Sequence, residues 1–295
     1  MAEQQIDKLV KNLRVERVDK YLFIGRSPSK PSRVFGGQVL AQSLNAALRT
    51  VDAEERSAHS MHAYFLRPGD PAKQIVYEVD PIRDGRSFTT RRVVAKQDGV
   101  AIFSTSISFQ QPETGLEHQL PAPDAPDPES LESDRVYWEQ LNKQYPGRFE
   151  VPGLVAIDRR PVERRNFLDP ASDIREPRTA IWMRVEGELP DDPVLHQTLL
   201  AYLSDMTLMS TAMLPHPYTT RDKQFMGASL DHALWFHRPF RVDDWLLYHH
   251  DSPVAAGARG FIRGTFYTRD GQQVASAVQE ALMRIREKKP KDSRS

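Results

Sequence analysis

The chain has 295 residues, 39% apolar and 27% charged, which supplies enough apolar side chain for a sizeable core and argues against a disordered chain. Its 40 basic residues balance 40 acidic ones, which argues against a nucleic-acid binder, because displacing counterions from phosphates calls for net positive charge. Cysteine is absent, which removes disulfides, thiolate metal sites, iron–sulfur clusters and cysteine nucleophiles together and fits a reducing compartment.

In chain order, residues 1–12 mix acids, Gln and Lys with isolated apolar positions, so no secretory core is expected there. Gly36-Gly37 precede a helical run over 38–51, in which Val39, Leu40, Leu44, Ala47, Leu48 and Val51 recur at helical spacing. Four β-like segments follow, over 60–65, 74–79, 87–95 and 101–109. Asp98-Gly99 marks a tight turn between the last two, since glycine tolerates positive φ. Residues 119–128 carry four prolines in ten positions and read as an extended linker. A short helix is expected over 135–145 and strands over 151–160 and 179–185. The run 194–214 is apolar all round and reads as a second, more deeply buried helix. Strands are then expected over 229–236 and 245–248, followed by an Arg-containing strand, a turn at Asp270-Gly271 and a last strand. The tail from Arg284 is basic and polar. Its last residues, Ser293-Arg294-Ser295, differ from the Ser-Lys-Leu peroxisomal address. No run approaches the roughly eighteen apolar residues of a membrane span. A soluble cytoplasmic protein with no membrane partner is the expectation.

The chain repeats itself. Arg67-Pro68 and Arg238-Pro239 lie 171 residues apart, and the two Asp-Gly turns lie 172 apart. Each half sets one long helix before a run of strands, an α+β pattern in which a helix packs on a meandering antiparallel sheet. Tandem duplication divides the chain into an N-terminal unit (1–111), a proline-rich linker (112–145) and a C-terminal unit (146–295).

The familiar catalytic motifs are missing: there is no G-x-S-x-G elbow, P-loop, G-x-G-x-x-G or H-E-x-x-H. His59 with His62, and His249-His250-Asp251, have metal-like spacing, but the first pair has no third ligand in register and the second cluster is too compact to converge from a strand, so no metal is expected. Asp205 is the most informative residue. Its helical neighbours are Ala201, Tyr202, Leu208 and Met209, and burial there raises a carboxyl pKa toward the range of a general base. A Ser204-Asp205 cap or kink in a broken helix is the alternative. Strand alternation puts Ala275, Ala277, Gln279, Ala281 and Met283 on one face, so Gln279 faces either the packed helix, where it needs a partner, or solvent at a sheet edge. Ser229 opens the strand 229–236, where a hydroxyl serves as a strand-end cap or a water ligand. Asp231 and His232 are adjacent on that strand and point to opposite faces, so they do not form a dyad. Trp235, Phe236 and Trp245 read as core or interface, and Arg259, Arg263 and Arg284 as either phosphate ligands or a solvated face.

Several longer motifs carry a resemblance. Arg33-Val34-Phe35-Gly36-Gly37-Gln38, the run from His59 through Arg67-Pro68 to Pro71, Leu230-Asp231-His232-Ala233-Leu234-Trp235-Phe236-His237-Arg238-Pro239-Phe240 and Val278-Gln279-Glu280 are similar to acyl-CoA thioesterase II, the TesB type. The resemblance runs from about Leu9 to Arg286 in consistent order. It implies a double hotdog fold, hydrolysis of fatty acyl-CoA to free acid and CoA, and no cofactor. The family's catalytic Asp, Ser-or-Thr and Gln fall on Asp205, Ser229 and Gln279, converging on one water. The expected substrate contacts are Gly36 and Gly37, as N–H donors to an oxyanion, with His59, Arg67, Arg259 and Arg263. The first half has no matching carboxylate, with Gln38 or Gln42 in its place. A homodimer or homotetramer is the expected assembly. Hotdog domains also act as dehydratases, which usually use a His, and as non-catalytic acyl-CoA binders. No His falls among the convergent positions, and the Asp, Ser and Gln set favours hydrolysis.

Overall fold

The structure is a computed structural model that describes residues 2–28, 33–148 and 156–286. The first half runs α1 (Ala2–Leu13), β1 (Glu16–Asp19), β2 (Leu22–Gly25), α2 (Gly36–Leu48), β3 (Ser57–Phe65), β4 (Ile75–Asp84), β5 (Phe88–Gln97) and β6 (Val100–Gln110). The second runs α3 (Asp134–Gln144), β7 (Ile157–Pro161), β8 (Arg178–Val185), α4 (Pro193–Ser204), α5 (Leu208–Ala212), β9 (Phe225–Ser229), β10 (Asp231–Phe236), β11 (Leu246–Ala256), β12 (Arg259–Thr268) and β13 (Gln273–Ile285). The strands join in one antiparallel sheet with the order β1-β2-β4-β5-β6-β3-β10-β13-β12-β11-β8-β7, and β9 pairs with β13. That order reads the same from either edge: each half contributes the same succession, and the halves meet where β3 pairs with β10. The spacing repeat in the sequence thus becomes a repeat of topology.

The central helices carry the core. Twelve of the thirteen residues of α2 are buried, because it packs on β3 to β6 and on α4 at once. Helix α4 starts as its sequence prescribes. Asp192 accepts a hydrogen bond from the Val194 N–H at 2.9 Å, and Pro193 takes the first helical position, where a missing N–H costs nothing. The two helices approach closely at Gly37, where a Cβ would fall 2.4 Å from the backbone oxygen of Tyr202.

Three elements differ from the sequence reading. The run 194–214 is not one helix: it breaks at Asp205, and Thr207 (φ 70°) turns the chain before α5 begins. The strand expected over 229–236 is two strands, with Ser229 closing β9 rather than opening β10. The strand expected over 151–160 is described only as β7, and residues 151–155 lie outside the described residues. The proline-rich stretch is extended as expected, but it is strapped down. Ala122 and Ala125 pack on the cluster of Trp182, Trp245, Leu247 and Tyr267, and the Trp182 indole donates to the Pro126 oxygen at 2.9 Å.

The Gly37 contact is with backbone rather than with a flexible side chain, so an added methyl must push α2 off α4. Gly37→Ala is therefore expected to destabilise the fold by about 1–3 kcal/mol, as overpacking does, read from the urea midpoint at unchanged m.

Candidate active site

The break in α4 places a carboxylate against the start of another helix. The residue before α2, Phe35, offers no side-chain acceptor to the unpaired N–H groups of that helix end. Asp205, at the C-terminus of α4, brings its carboxylate to that end, where the Gly37 N–H favours the charged form. The backbone passes so close that a Cβ on Gly36 would lie 2.6 Å from Asp205 Oδ2, and glycine is required there.

Ser229 reaches the same carboxylate from the sheet. Between the pairs Ser229↔Ala281 and Ala233↔Val278, the β9–β10 side has one residue more than β13, a bulge around Leu230. The bulge shifts the strand's parity, so Ser229 and His232 both face inward. Ser229 Oγ donates to Asp205 Oδ1 at 3.3 Å, and Gln279 Nε2 donates to Ser229 Oγ at 3.0 Å. Gln279 faces the packed helix, 1% exposed, on the Ala277/Ala281 face of β13.

Asp205 keeps some contact with solvent, yet the protein around its carboxyl is as dense as in the core. Desolvation dominates and pushes its pKa up to about 7, against the opposing pull of the Gly37 N–H, the Ser229 hydroxyl and the Arg33 charge. Such a group exchanges a proton near neutral pH, as a general base must. A cavity of about 230 Å³ opens beside the helix break, with Trp138, Arg159, Ile181, Thr207, Ser210 and His250 in its wall. Asp205 is not among the lining residues.

Comparison with known proteins decides the family. The Acyl-CoA thioesterase family model matches residues 157–282, and the Acyl-CoA thioesterase N-terminal domain model matches 26–110. The chain is 38% identical to Acyl-CoA thioesterase 2 of Haemophilus influenzae, covering 96% of this chain and 99% of that protein. It is 38% identical to mouse Acyl-coenzyme A thioesterase 8, covering 93% of this chain and 88% of the mouse protein. The chain belongs to the acyl-CoA thioesterase family. Among solved structures, acyl-CoA thioesterase II TesB2 of Mycobacterium marinum superposes with a TM-score of 0.77 at 39% identity, over 93% of this chain and 97% of that one. A hot dog fold protein of Alicyclobacillus acidocaldarius superposes at 0.74 with 17% identity, over 94% of this chain and 98% of that one, a likeness of fold alone.

Within this thioesterase framework the other residues singled out from the sequence fall in different places. Gly36 and Gly37 lie at the site, where the Gly37 N–H bears on the Asp205 carboxylate. Arg67 follows Phe65, whose ring meets Gly36, and donates to the Ala101 oxygen at 2.8 Å. His59 does not join the site. It sits six residues back along β3, roughly 20 Å from Phe65 at strand rise, edge-on to Phe88. Arg263 is held by Asp251 at 2.6 and 2.8 Å, and Arg259 by Glu280 at 2.8 Å, both on the exposed face of β12. Gln38 and Gln42 are buried amides that bond backbone oxygens and Tyr77, and neither approaches a carboxylate role.

Two site residues escaped the sequence reading. Arg33 bears on Asp205 electrostatically and donates to the Gly227 oxygen at 3.2 Å. His232 is fully buried against Gln279, so a histidine does stand among the convergent positions, behind them rather than beside the carboxylate. Asp231 points away and accepts the Glu280 N–H at 2.6 Å, so the two form no dyad. Among the described residues no helix is long and apolar enough to cross a membrane.

The raised Asp205 pKa carries a stability consequence. Between the ordinary value of 3.8 and about 7 the native state holds a proton that the unfolded chain has lost, so stability falls as pH rises through this window. Asp205→Asn removes the cost. Its stability gain over the parent should be absent below about pH 4, grow through neutrality and level off above, on the order of 2–4 kcal/mol. Urea unfolding at a series of pH values measures it, and a gain that shrinks with rising pH contradicts the assignment.

Proposed function

We propose that the chain hydrolyses acyl-CoA thioesters, with Asp205 as general base and Ser229 and Gln279 as the groups that hold the attacking water. The observation that carries this reading is the Asp205 carboxyl itself, half-enclosed, its pKa moved to about 7, with Ser229 and Gln279 in hydrogen-bonded series beside it. Asp205 takes one proton from the water as the water oxygen bonds to the thioester carbonyl carbon. Collapse of the tetrahedral intermediate breaks the C–S bond. The thiolate leaves with the electron pair and recovers the proton from Asp205, giving free acid and CoA. A thiol leaves readily, its pKa lying near the ~8.5 of free cysteine, so a separate strong acid is unnecessary. No step calls for a cofactor or metal.

The same reading makes the fold a tandem hotdog, with an N-terminal unit (1–111), a linker (112–145) and a C-terminal unit (146–295) that carries the machinery. The palindromic strand order supports it. So does the asymmetry of the helices: α2 presents buried amides where the break in α4 presents a carboxylate, leaving one site per chain. Arg67 is the phosphate contact to test first, being exposed and two residues beyond Phe65. A homodimer or homotetramer in the cytoplasm completes the reading, supported by exposed Tyr64 on the outer face of β3 and exposed Leu66 just past its end, and by the absence of cysteine. Dehydration is disfavoured because both nitrogens of His232 are engaged and the ring is out of solvent.

Thiol release from short-, medium- and long-chain acyl-CoAs, followed with a disulfide reagent, tests the activity, and the chain adds no thiol of its own. Asp205→Asn should lower kcat by about 10²–10⁴, and kcat/KM of the parent should fall on the acid side with an apparent pKa near 7. Full turnover in Asp205→Asn removes it as the base. Formation of an enoyl thioester without thiol identifies a dehydratase, and binding without turnover identifies a carrier.

A further inference from the structure

His232 is fully buried on β10, with Nδ1 2.8 Å from Gln279 Oε1 and Nε2 2.9 Å from Ser204 Oγ. Together with the bonds from Gln279 to Ser229 and from Ser229 to Asp205, this makes a ring of five side chains that begins and ends on adjacent residues of one helix end. The donors and acceptors available fix its direction. Ser229 has one proton, and an ionised carboxylate only accepts, so that proton points to Asp205. The Ser229 oxygen must then accept from Gln279, which turns the amide NH₂ toward Ser229 and Oε1 toward His232. An amide oxygen only accepts, so the imidazole proton is on Nδ1. Burial holds the ring neutral, its pKa pushed down to about 4, which leaves Nε2 as an acceptor facing the Ser204 hydroxyl, whose one proton is shared with the Ala201 backbone oxygen at 2.9 Å.

We propose that His232 is a positioning residue, whose Nδ1–H bond to Gln279 fixes the amide with its NH₂ toward Ser229 and so keeps the Ser229 proton on Asp205. The proposal rests on Asp205, Ser229 and Gln279 being the machinery. Without the histidine donor the amide is free to turn over. Ser229 then faces two oxygen acceptors, and Asp205 shares or loses its hydroxyl. The groups facing that carboxyl are the Gly37 N–H at the start of α2, Arg33 just before it, Tyr202 on α4, Tyr248 on β11 and Ser229 on β9. Only Arg33 among them is charged, so loss of the Ser229 bond lifts the Asp205 titration further. The effect falls on the chemical step rather than on binding.

Two measurements test it. Nitrogen NMR of the parent with ¹⁵N-histidine should show a pyrrole-type Nδ1 and a pyridine-type Nε2 for His232, unchanged across the pH range of activity. An Nε2–H tautomer or a charged ring overturns the proposal, with or without any variant that folds. In kinetics, His232→Leu should lower kcat about tenfold with KM unchanged, the size of one hydrogen bond net of solvent, and move the acid limb of kcat/KM to higher pH. His232→Asn, whose Nδ2 donor stands the same number of bonds from Cα as Nδ1, should restore both. Equal losses in the two variants, or a parental profile in His232→Leu, also overturn it. Failure of the underlying reading is seen separately, as an active Asp205→Asn beside an unaltered tautomer.

Discussion

The close approach of the Asp205 carboxylate to the start of α2 ties the two halves of the chain together. Helix α2 begins without a side-chain acceptor of its own, and an unpaired N–H at a buried helix end is costly. The negative charge that this end faces comes from the broken end of α4 in the other half. Both glycines are needed for that reach: Gly37 lets the backbones of α2 and α4 touch, and Gly36 lets the carboxylate lie against the helix. The start of a helix favours negative charge, as does Arg33. Burial outweighs them, and this balance places the carboxyl between a fully ionised acid and a protonated one at neutral pH.

The strand order repeats but the two central helices do not, and their buried polar groups show the difference. In the first half α2 runs unbroken, and its buried polar positions are amides: Gln42 accepts from the Tyr77 hydroxyl at 2.5 Å and donates to the Arg26 oxygen at 3.1 Å. In the second half Tyr248, 171 residues after Tyr77, donates to the Ser204 backbone oxygen at 2.8 Å. A tyrosine that meets a side chain in one half meets the frayed helix end in the other. The break exposes backbone carbonyls that need donors, and it frees the next residue to turn toward α2. The same fold thus yields a closed helix on one side and a carboxylate on the other.

Much of this was legible in the sequence, for identifiable reasons. Constant spacing between Arg-Pro pairs and between Asp-Gly turns survives because topology is repeated, and Asp205 and Gln279 stood out because each is a polar group among apolar neighbours. The parity rule failed around Leu230. It treats residues 229–236 as one regular strand, and a single extra residue brings Ser229 and His232 to the same side. Asp231 and His232 were correctly set apart for the same strand reason, because the bulge ends before them. Arg33 left no local signal, since its influence on Asp205 crosses from one half to the other. His59 had the spacing of a ligand but lies along β3 at the far end from the site, a matter of distance that motif spacing does not encode.

The helix break is held open by more than the carboxylate. Thr207 sits at φ 70°, where a β-branched side chain costs roughly 1–2 kcal/mol, and such a residue persists only where its surroundings over-determine it. Here they do: Tyr248 takes the Ser204 oxygen, α5 packs on β11 and β12, and Leu208 and Ala212 are buried. The strained turn and the desolvated carboxyl lie two residues apart, so two destabilising features are concentrated at one place and offset by packing around it. Straightening α4 would relieve both, but it would carry α5 off the sheet and withdraw Asp205 from α2. The break, the approach of the carboxylate to α2 and the raised carboxyl pKa are therefore one structural feature, and a substitution that relaxes any one of them acts on all three.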